Sequence, residues 1–190
     1  MLPGGLRVKA SPGYGRTMAT SSATAPLDEA FAREFTARYA PAWNSYDANA
    51  IEDLVTADIV WEDPALPEPA HGVEQVKDFM RRSWRAFPDL AFEPGAMWLH
   101  PDRPSLSWAW RMTGTHRGMI DPPGFAPTGR RIDVDGIDVW DFVDGRIHRY
   151  RAFYDMAALA RQIGAMPPAG SAGEKVGVLL QRAQARFMRR

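Results

Sequence analysis

Asp63 and Asp138 are the residues best placed to do chemistry. Each shares strand parity with apolar neighbours: Ile59 and Trp61 with Asp63, and Ile132, Val134, Trp140 and Phe142 with Asp138. Side chains alternate faces along a strand, so both carboxyls point toward the face expected to be buried. Asp133, Asp135 and Asp141 fall on the opposite parity. Low dielectric penalises the charged form, which raises a buried carboxyl's pKa. A carboxyl kept protonated donates a hydrogen bond, and one left ionised nearby takes a proton. Two carboxyls in opposed environments therefore run acid–base chemistry. Structural readings stand beside these. An aspartate before proline, as in Asp63–Pro64, also fixes a turn. A buried aspartate such as Asp138 is also satisfied by backbone donors. A bulge at Gly136 would turn Asp138 to the other face.

Two further polar groups lie on apolar rows. Tyr39 sits on a helical stripe of residues 27, 31, 35, 39 and 43, where core packing is the simpler reading. His116 shares parity with Leu106, Trp108, Trp110 and Met112, and reads as a rim or hydrogen-bonded histidine as readily as a catalytic one. The tryptophans at 61, 84, 98, 108, 110 and 140 read mainly as core. A pocket for a flat ligand would draw on His116, Trp61, Trp108, Trp110, Trp140, Met80 and Phe142. The four histidines are widely spaced and show no ligand pattern, so no metal site is expected.

These residues need elements to hold them. The stripe from Leu27 predicts a helix. "SYDANAIEDLV" predicts a second, short one capped by Asp47, and 72–87 a third, with Val73, Val76, Phe79, Met80, Trp84 and Phe87 on its apolar side. Strands are expected at 58–63, 90–99, 104–116, 131–143 and 146–155, the last two joined by an Asp-Gly turn at 144–145. "DPPGFAPTGRR", 121–131, must be an irregular loop, expected beside the mouth of any pocket. A short helix follows Asp155 and ends near Gly164. Helices followed by antiparallel strands argue for an α+β class, a single domain in which one strongly bent sheet wraps over about three helices as a cone. Such concave apolar places bind ligands.

Composition sets the limits. The 190 residues are 45% hydrophobic, enough for one domain with a sizeable core. Basic and acidic residues balance at 23 each, so nothing points to nucleic acid or to an anionic membrane. There is no cysteine, which excludes disulfides and thiol chemistry and fits a cytoplasmic protein. No apolar run approaches the roughly 20 residues of a membrane span. Residues 1–26 read as a disordered leader, with Met18 an alternative start to Met1. Residues 27–165 read as the domain and 166–190 as a linker and an amphipathic helix. Ser171 and Glu174 form a capping box for that helix. Its stripe of Val176, Leu179, Leu180, Ala183 and Phe187 is expected to pack on this domain or on a second copy.

The combination resembles a known class. "ARYAPAWNSYDANAIEDLVTADIVWEDPALPEPAHGVEQVKDF" is similar to the opening of bacterial ketosteroid isomerases, and "DGIDVWDFVDGRIHRYRAFY" to their last strand pair. Tyr39 stands 24 residues before Asp63, a spacing that matches that family. The resemblance covers residues 30–155 and implies the cone of the nuclear transport factor 2-like superfamily. It also implies that Asp63 is the general base and that Tyr39 and a neutral Asp138 are the two oxyanion-hole donors, without a cofactor and in a homodimer. Val55 and Met80 stand where those isomerases carry supporting tyrosines. "GTHRGMIDPPGFAPTGRR" and "DMAALARQIG" resemble SnoaL-like polyketide cyclases. In that family an acid/base aspartate drives intramolecular aldol closure, and a histidine like His116 lines the pocket. "YRAFYD" resembles a motif of limonene-type epoxide hydrolases, but Ala152 stands where they carry an acid. The reading that follows is an enzyme passing protons through an enolate on a small, apolar, ring-containing carbonyl compound. Isomerase chemistry leads, cyclase chemistry follows, and a non-catalytic binding protein is the competing class.

Overall fold

The computed structural model describes residues 27–188. The expected leader, 1–26, lies outside the described residues. The chain runs α1 (Glu29–Asn44), a 3₁₀ turn (Ala48–Ile51), β1 (Val55–Glu62), β2 (Ala70–His71), α2 (Val73–Ala86), β3 (Ala91–Leu99), β4 (Ser105–Thr115), β5 (Arg131–Val143), β6 (Arg146–Tyr154), α3 (Met156–Ile163) and α4 (Ala172–Met188). The sheet order is β2-β1-β6-β5-β4-β3, with β1 and β6 parallel and every other pair antiparallel. The sheet curls without closing, giving the α+β cone.

Local chemistry explains the ends of the elements. Asp28 caps α1 by accepting from the Phe31 N–H at 2.7 Å, and Asp155 caps α3 through the Ala158 N–H at 2.8 Å. The stretch after Asp47 is one 3₁₀ turn rather than an α-helix, with Asp47 capping it through the Asn49 N–H. Asp144 and Gly145 both adopt positive φ, 49° and 74°, as a tight primed turn between β5 and β6 requires.

The core joins α1 and α2 to the inner face of the sheet. Phe35 and Tyr39 on α1 pack against Trp140, Phe142 and Trp108, all buried. Each such aromatic ring removes 150–250 Å² from water, roughly 4–6 kcal/mol of gross hydrophobic gain before entropy is subtracted. Asn44 pins the end of α1 to β3: it donates to the Phe92 carbonyl and accepts from the Phe92 N–H, both at 2.9 Å. Trp43 is thereby held over the open end of the cone.

Two expectations change. Trp98 is not core, because it lies on the outer face of β3 and is 53% exposed. The C-terminal helix forms, with Glu174 accepting from Gly170 N–H at 2.6 Å and donating its own N–H to Ser171 at 3.3 Å. None of its residues is buried in the single chain, which removes the expected packing on this domain and leaves the second-copy half of the expectation as it stood. Among the described residues no helix is long and apolar enough to cross a membrane.

Candidate active site

The open end of the cone holds a cavity of about 420 Å³. One wall comes from α1 and α2, through Trp43, Phe79, Phe87 and their neighbours. A second comes from the sheet, through Trp110, Met112, Tyr150 and Tyr154. The rim comes from the turn after β1 and from the proline loop, through Leu66, Ile120, Pro122 and Phe125. The proline loop therefore lies at the mouth, as its composition led us to expect.

Asp63 enters this cavity from the first position beyond β1, which ends at Glu62 rather than at 63. Ile59 and Trp61 before it are wholly buried, so the parity reading holds up to the strand's end. Asp63 also builds the turn: its backbone carbonyl accepts from Leu66 N–H at 2.9 Å and its Oδ1 from Ala65 N–H at 2.8 Å. The turn and the cavity are thus two uses of one residue. The Tyr154 hydroxyl donates to the same Oδ1 at 2.8 Å. Among the described residues no donor reaches Oδ2. The carboxyl is desolvated by the apolar wall, which pushes its pKa up; the Ala65 and Tyr154 donors pull it partly back.

Asp138 lies deeper. It is 1% exposed and does not line the cavity. No bulge occurs at Gly136: β5 pairs continuously with β4, Trp108 opposite Asp138 and Trp110 opposite Gly136. The missing side chain matters, because a Cβ at position 136 would collide with the indole of Trp110. That ring lies across Gly136 and donates Nε1–H to Asp138 Oδ1 at 2.7 Å. The Tyr150 hydroxyl donates to the same oxygen at 2.9 Å. Both donors are neutral. Burial is the main cause of a strongly raised Asp138 pKa, and the two donors offset it only in part. Burial thus favours the protonated form of Asp138, and among the described residues no donor reaches Oδ2, the oxygen free to carry a proton.

Tyr39 does not line the cavity either. Its hydroxyl accepts from Trp43 Nε1–H at 3.2 Å, and burial foremost raises its pKa, with Asp138 adding to the effect. Of the aromatic and apolar candidates, only Trp110 reaches the cavity. Trp61 stacks behind Tyr150, ring centroids 3.5 Å apart and planes 11° from parallel. Trp108 and Trp140 pack on Tyr39, Phe142 packs on Phe31 and Phe35, and Met80 is wholly buried. They point inward, as strand parity required of the aromatics and the helical stripe of Met80, but they fill the interior rather than line the open space. His116 is also fully buried, beneath Phe87, with Nδ1 3.2 Å from Thr128 Oγ1. It holds the base of the proline loop and is absent from the cavity wall. Burial lowers its pKa.

Tyr150 and Tyr154 line the cavity and were not singled out from sequence. The signal existed: with Ala152 they share one parity in "YRAFY". Ala152 pairs with Asp138, so the two tyrosines flank it on one face. Tyr150 bonds Asp138, and Tyr154 bonds Asp63. The two carboxyls are thus each held by a tyrosine of β6.

No curated protein matches the chain. Solved structures do. TsrD from Streptomyces laurentii superposes with a TM-score of 0.64 at 24% identity, over 73% of this chain and 98% of that one. AclR from Streptomyces galilaeus, a hydroxylase by provisional assignment, gives 0.63 at 23% identity, over 86% and 99%. A provisionally assigned polyketide cyclase from Acidithiobacillus ferrooxidans gives 0.60 at 25%, over 77% and 97%. The family model for SnoaL-like polyketide cyclases matches residues 33–163, a span that runs from α1 to the end of α3 and includes the whole cavity wall. The chain therefore belongs to the SnoaL-like polyketide cyclase family.

Proposed function

We propose that this chain is a cofactor-free cyclase that forms an enolate from an apolar, ring-forming carbonyl compound and closes a ring by intramolecular aldol addition. One observation carries the reading. A carboxyl, Asp63, stands in an apolar cavity wall, held on one oxygen by a backbone N–H and a tyrosine, with its second oxygen free of donors among the described residues. That is the arrangement a general base needs: fixed direction, an open lone pair and raised basicity.

In this mechanism Asp63 Oδ2 takes a proton from carbon next to a carbonyl. The C–H electron pair moves into the carbonyl, and negative charge collects on its oxygen. Tyr150 is the donor nearest to hand, since it lines the cavity and is backed by neutral Asp138. Its O–H turns from Asp138 to the substrate oxygen as charge develops, while the Trp110 N–H stays on Asp138 Oδ1. Tyr39 supports this group from behind rather than touching substrate. The enolate carbon attacks a second carbonyl of the same molecule, and the new alkoxide takes the proton that Asp63 held. Atoms and protons balance without an oxidant.

Isomerase chemistry shares the first step and differs in where the proton returns. The Tyr39–Asp63 spacing favours it. The buried Val55 and Met80, and a Tyr39 that does not reach the cavity, favour the cyclase outcome.

The test is hydrogen exchange next to the carbonyl of 2-tetralone, an apolar bicyclic ketone, followed by NMR in deuterium oxide. The wild type is expected to accelerate exchange, and Asp63→Asn to lose at least ~10²-fold of that acceleration. Equal rates in the two proteins would remove Asp63 as the base. Dienone absorbance from a 3-oxo-5-ene steroid separates the isomerase outcome.

A further inference from the structure

Besides Tyr150 and Tyr154, three ionisable side chains line the cavity: Asp63, Asp121 and Arg82. Arg82 is the only cation among the described lining residues. It projects from α2, half-buried, beside Ser83 and across from the proline loop. Its neighbourhood on the helix does not neutralise it. The Asp78 carboxylate is taken by Arg81 at 3.1 Å, and Arg82 keeps only a long 3.4 Å contact from Nε to the Asp78 backbone carbonyl. Among the described residues no carboxylate lies within ion-pair distance of its guanidinium. The wall beside it on α2, Phe79, Ser83 and Ala86, carries no anion.

A guanidinium held half out of water against an apolar wall is incompletely compensated. Its planar fork of donors matches a carboxylate, which it can bind with two parallel hydrogen bonds. Pockets of this kind take their specificity from a few such polar groups set among apolar ones.

We propose that Arg82 is a specificity residue that receives a carboxylate of the ligand at the mouth of the cavity, so that the natural substrate is an apolar ring-forming carbonyl compound bearing a free acid. The substrate assignment rests on the cyclase reading; the anion subsite does not. The acid sits on the α2 side, and the carbon that loses its proton sits beside Asp63 at the end of β1. Arg82 takes no part in proton transfer; it sets which end of the substrate enters first.

The test compares 2-naphthoate with 2-acetylnaphthalene, one ring skeleton with and without the charge, by calorimetric titration of the full-length protein. The wild type is expected to bind the acid more tightly, with an affinity that falls as salt rises, while the neutral ketone is insensitive to salt. Arg82→Leu should weaken 2-naphthoate about tenfold, the lower range for a charged hydrogen-bonded contact because the site is partly open to water. It should leave 2-acetylnaphthalene within about twofold. Arg82→Gln, neutral and of similar length, should behave alike and guards against a packing defect in the leucine variant. Equal losses for both ligands, no loss for the acid, or no saturable binding of 2-naphthoate by the wild type would each overturn the proposal. If Asp63→Asn leaves 2-tetralone exchange unchanged while Arg82→Leu still selects against the acid, the reaction falls and the anion subsite stands. The opposite pair of results removes the subsite and keeps the reaction.

Discussion

Replacing Asp138 by asparagine should make the protein's stability less dependent on pH, and the sign follows from its surroundings. Asp138 is 1% exposed, its two donors Trp110 and Tyr150 are neutral, and nearby Asp63 raises its pKa further. The native state therefore holds a proton on Asp138 that the unfolded chain gives up above about pH 3.9. Between the unfolded and native pKa values the native state binds the extra proton, so stability falls as pH rises, by about 1.4 kcal/mol per pH unit. Below that window the contribution is fully retained, and above it the loss is complete. Asparagine keeps an oxygen for the Trp110 and Tyr150 donors and has no proton to lose. The difference between Asp138→Asn and wild type should thus grow in favour of the variant by about 1.4 kcal/mol per unit as pH rises from 4, or roughly 3–5 °C of Tm per unit in a chain of this size. Asp63 contributes to both proteins and largely cancels. The assay is urea and thermal unfolding at several pH values from 4 to 8, followed by tryptophan fluorescence. Asp138→Ala should instead lose stability at every pH, because two buried donors are orphaned at about 1–3 kcal/mol each. Parallel curves for wild type and Asp138→Asn across pH 4–7 would mean that Asp138 ionises normally in the folded protein, and the neutral-acid argument would fail.

Two further perturbations probe the same framework. Gly136→Ala should push the Trp110 indole off Asp138 and cost about 1–3 kcal/mol by overpacking, seen as a lower Tm and altered tryptophan emission; an unchanged Tm would show that the ring moves freely. Tyr154→Phe removes a donor that lowers the Asp63 pKa, so the acidic limb of 2-tetralone exchange should move to higher pH, with a rate between wild type and Asp63→Asn; an unmoved limb would show that Tyr154 does not set the basicity of Asp63.

Much of this protein was legible in one dimension. Period-two rows placed Asp63 and Asp138 on the inner face, the Asp-Gly turn set the β5–β6 hairpin, the four-residue stripe from Leu27 announced α1, and Asp155 marked the start of α3. These are nearest-neighbour effects: backbone dihedrals, side-chain alternation and capping reach only a few residues along the chain. The prolines and glycines of 121–131 likewise marked a loop, and it lies at the cavity mouth. Parity could not say which inward side chains meet open space. Trp61, Trp108, Trp140, Met80, Phe142 and His116 all point inward, yet they pack on one another, and Trp110 alone of those candidates reaches the cavity. That division depends on how α1 and α2 sit in the curled sheet, which is a matter of volumes summed over distant segments. The partners of the two acids were hidden for the same reason. Asp63 meets Tyr154 because β1 and β6 run parallel, a pairing across some ninety residues that no local pattern encodes. Arg82 was not singled out from sequence. Only the curl of the sheet and the placing of the proline loop bring it to an apolar cavity, with the Asp78 carboxylate already taken by Arg81.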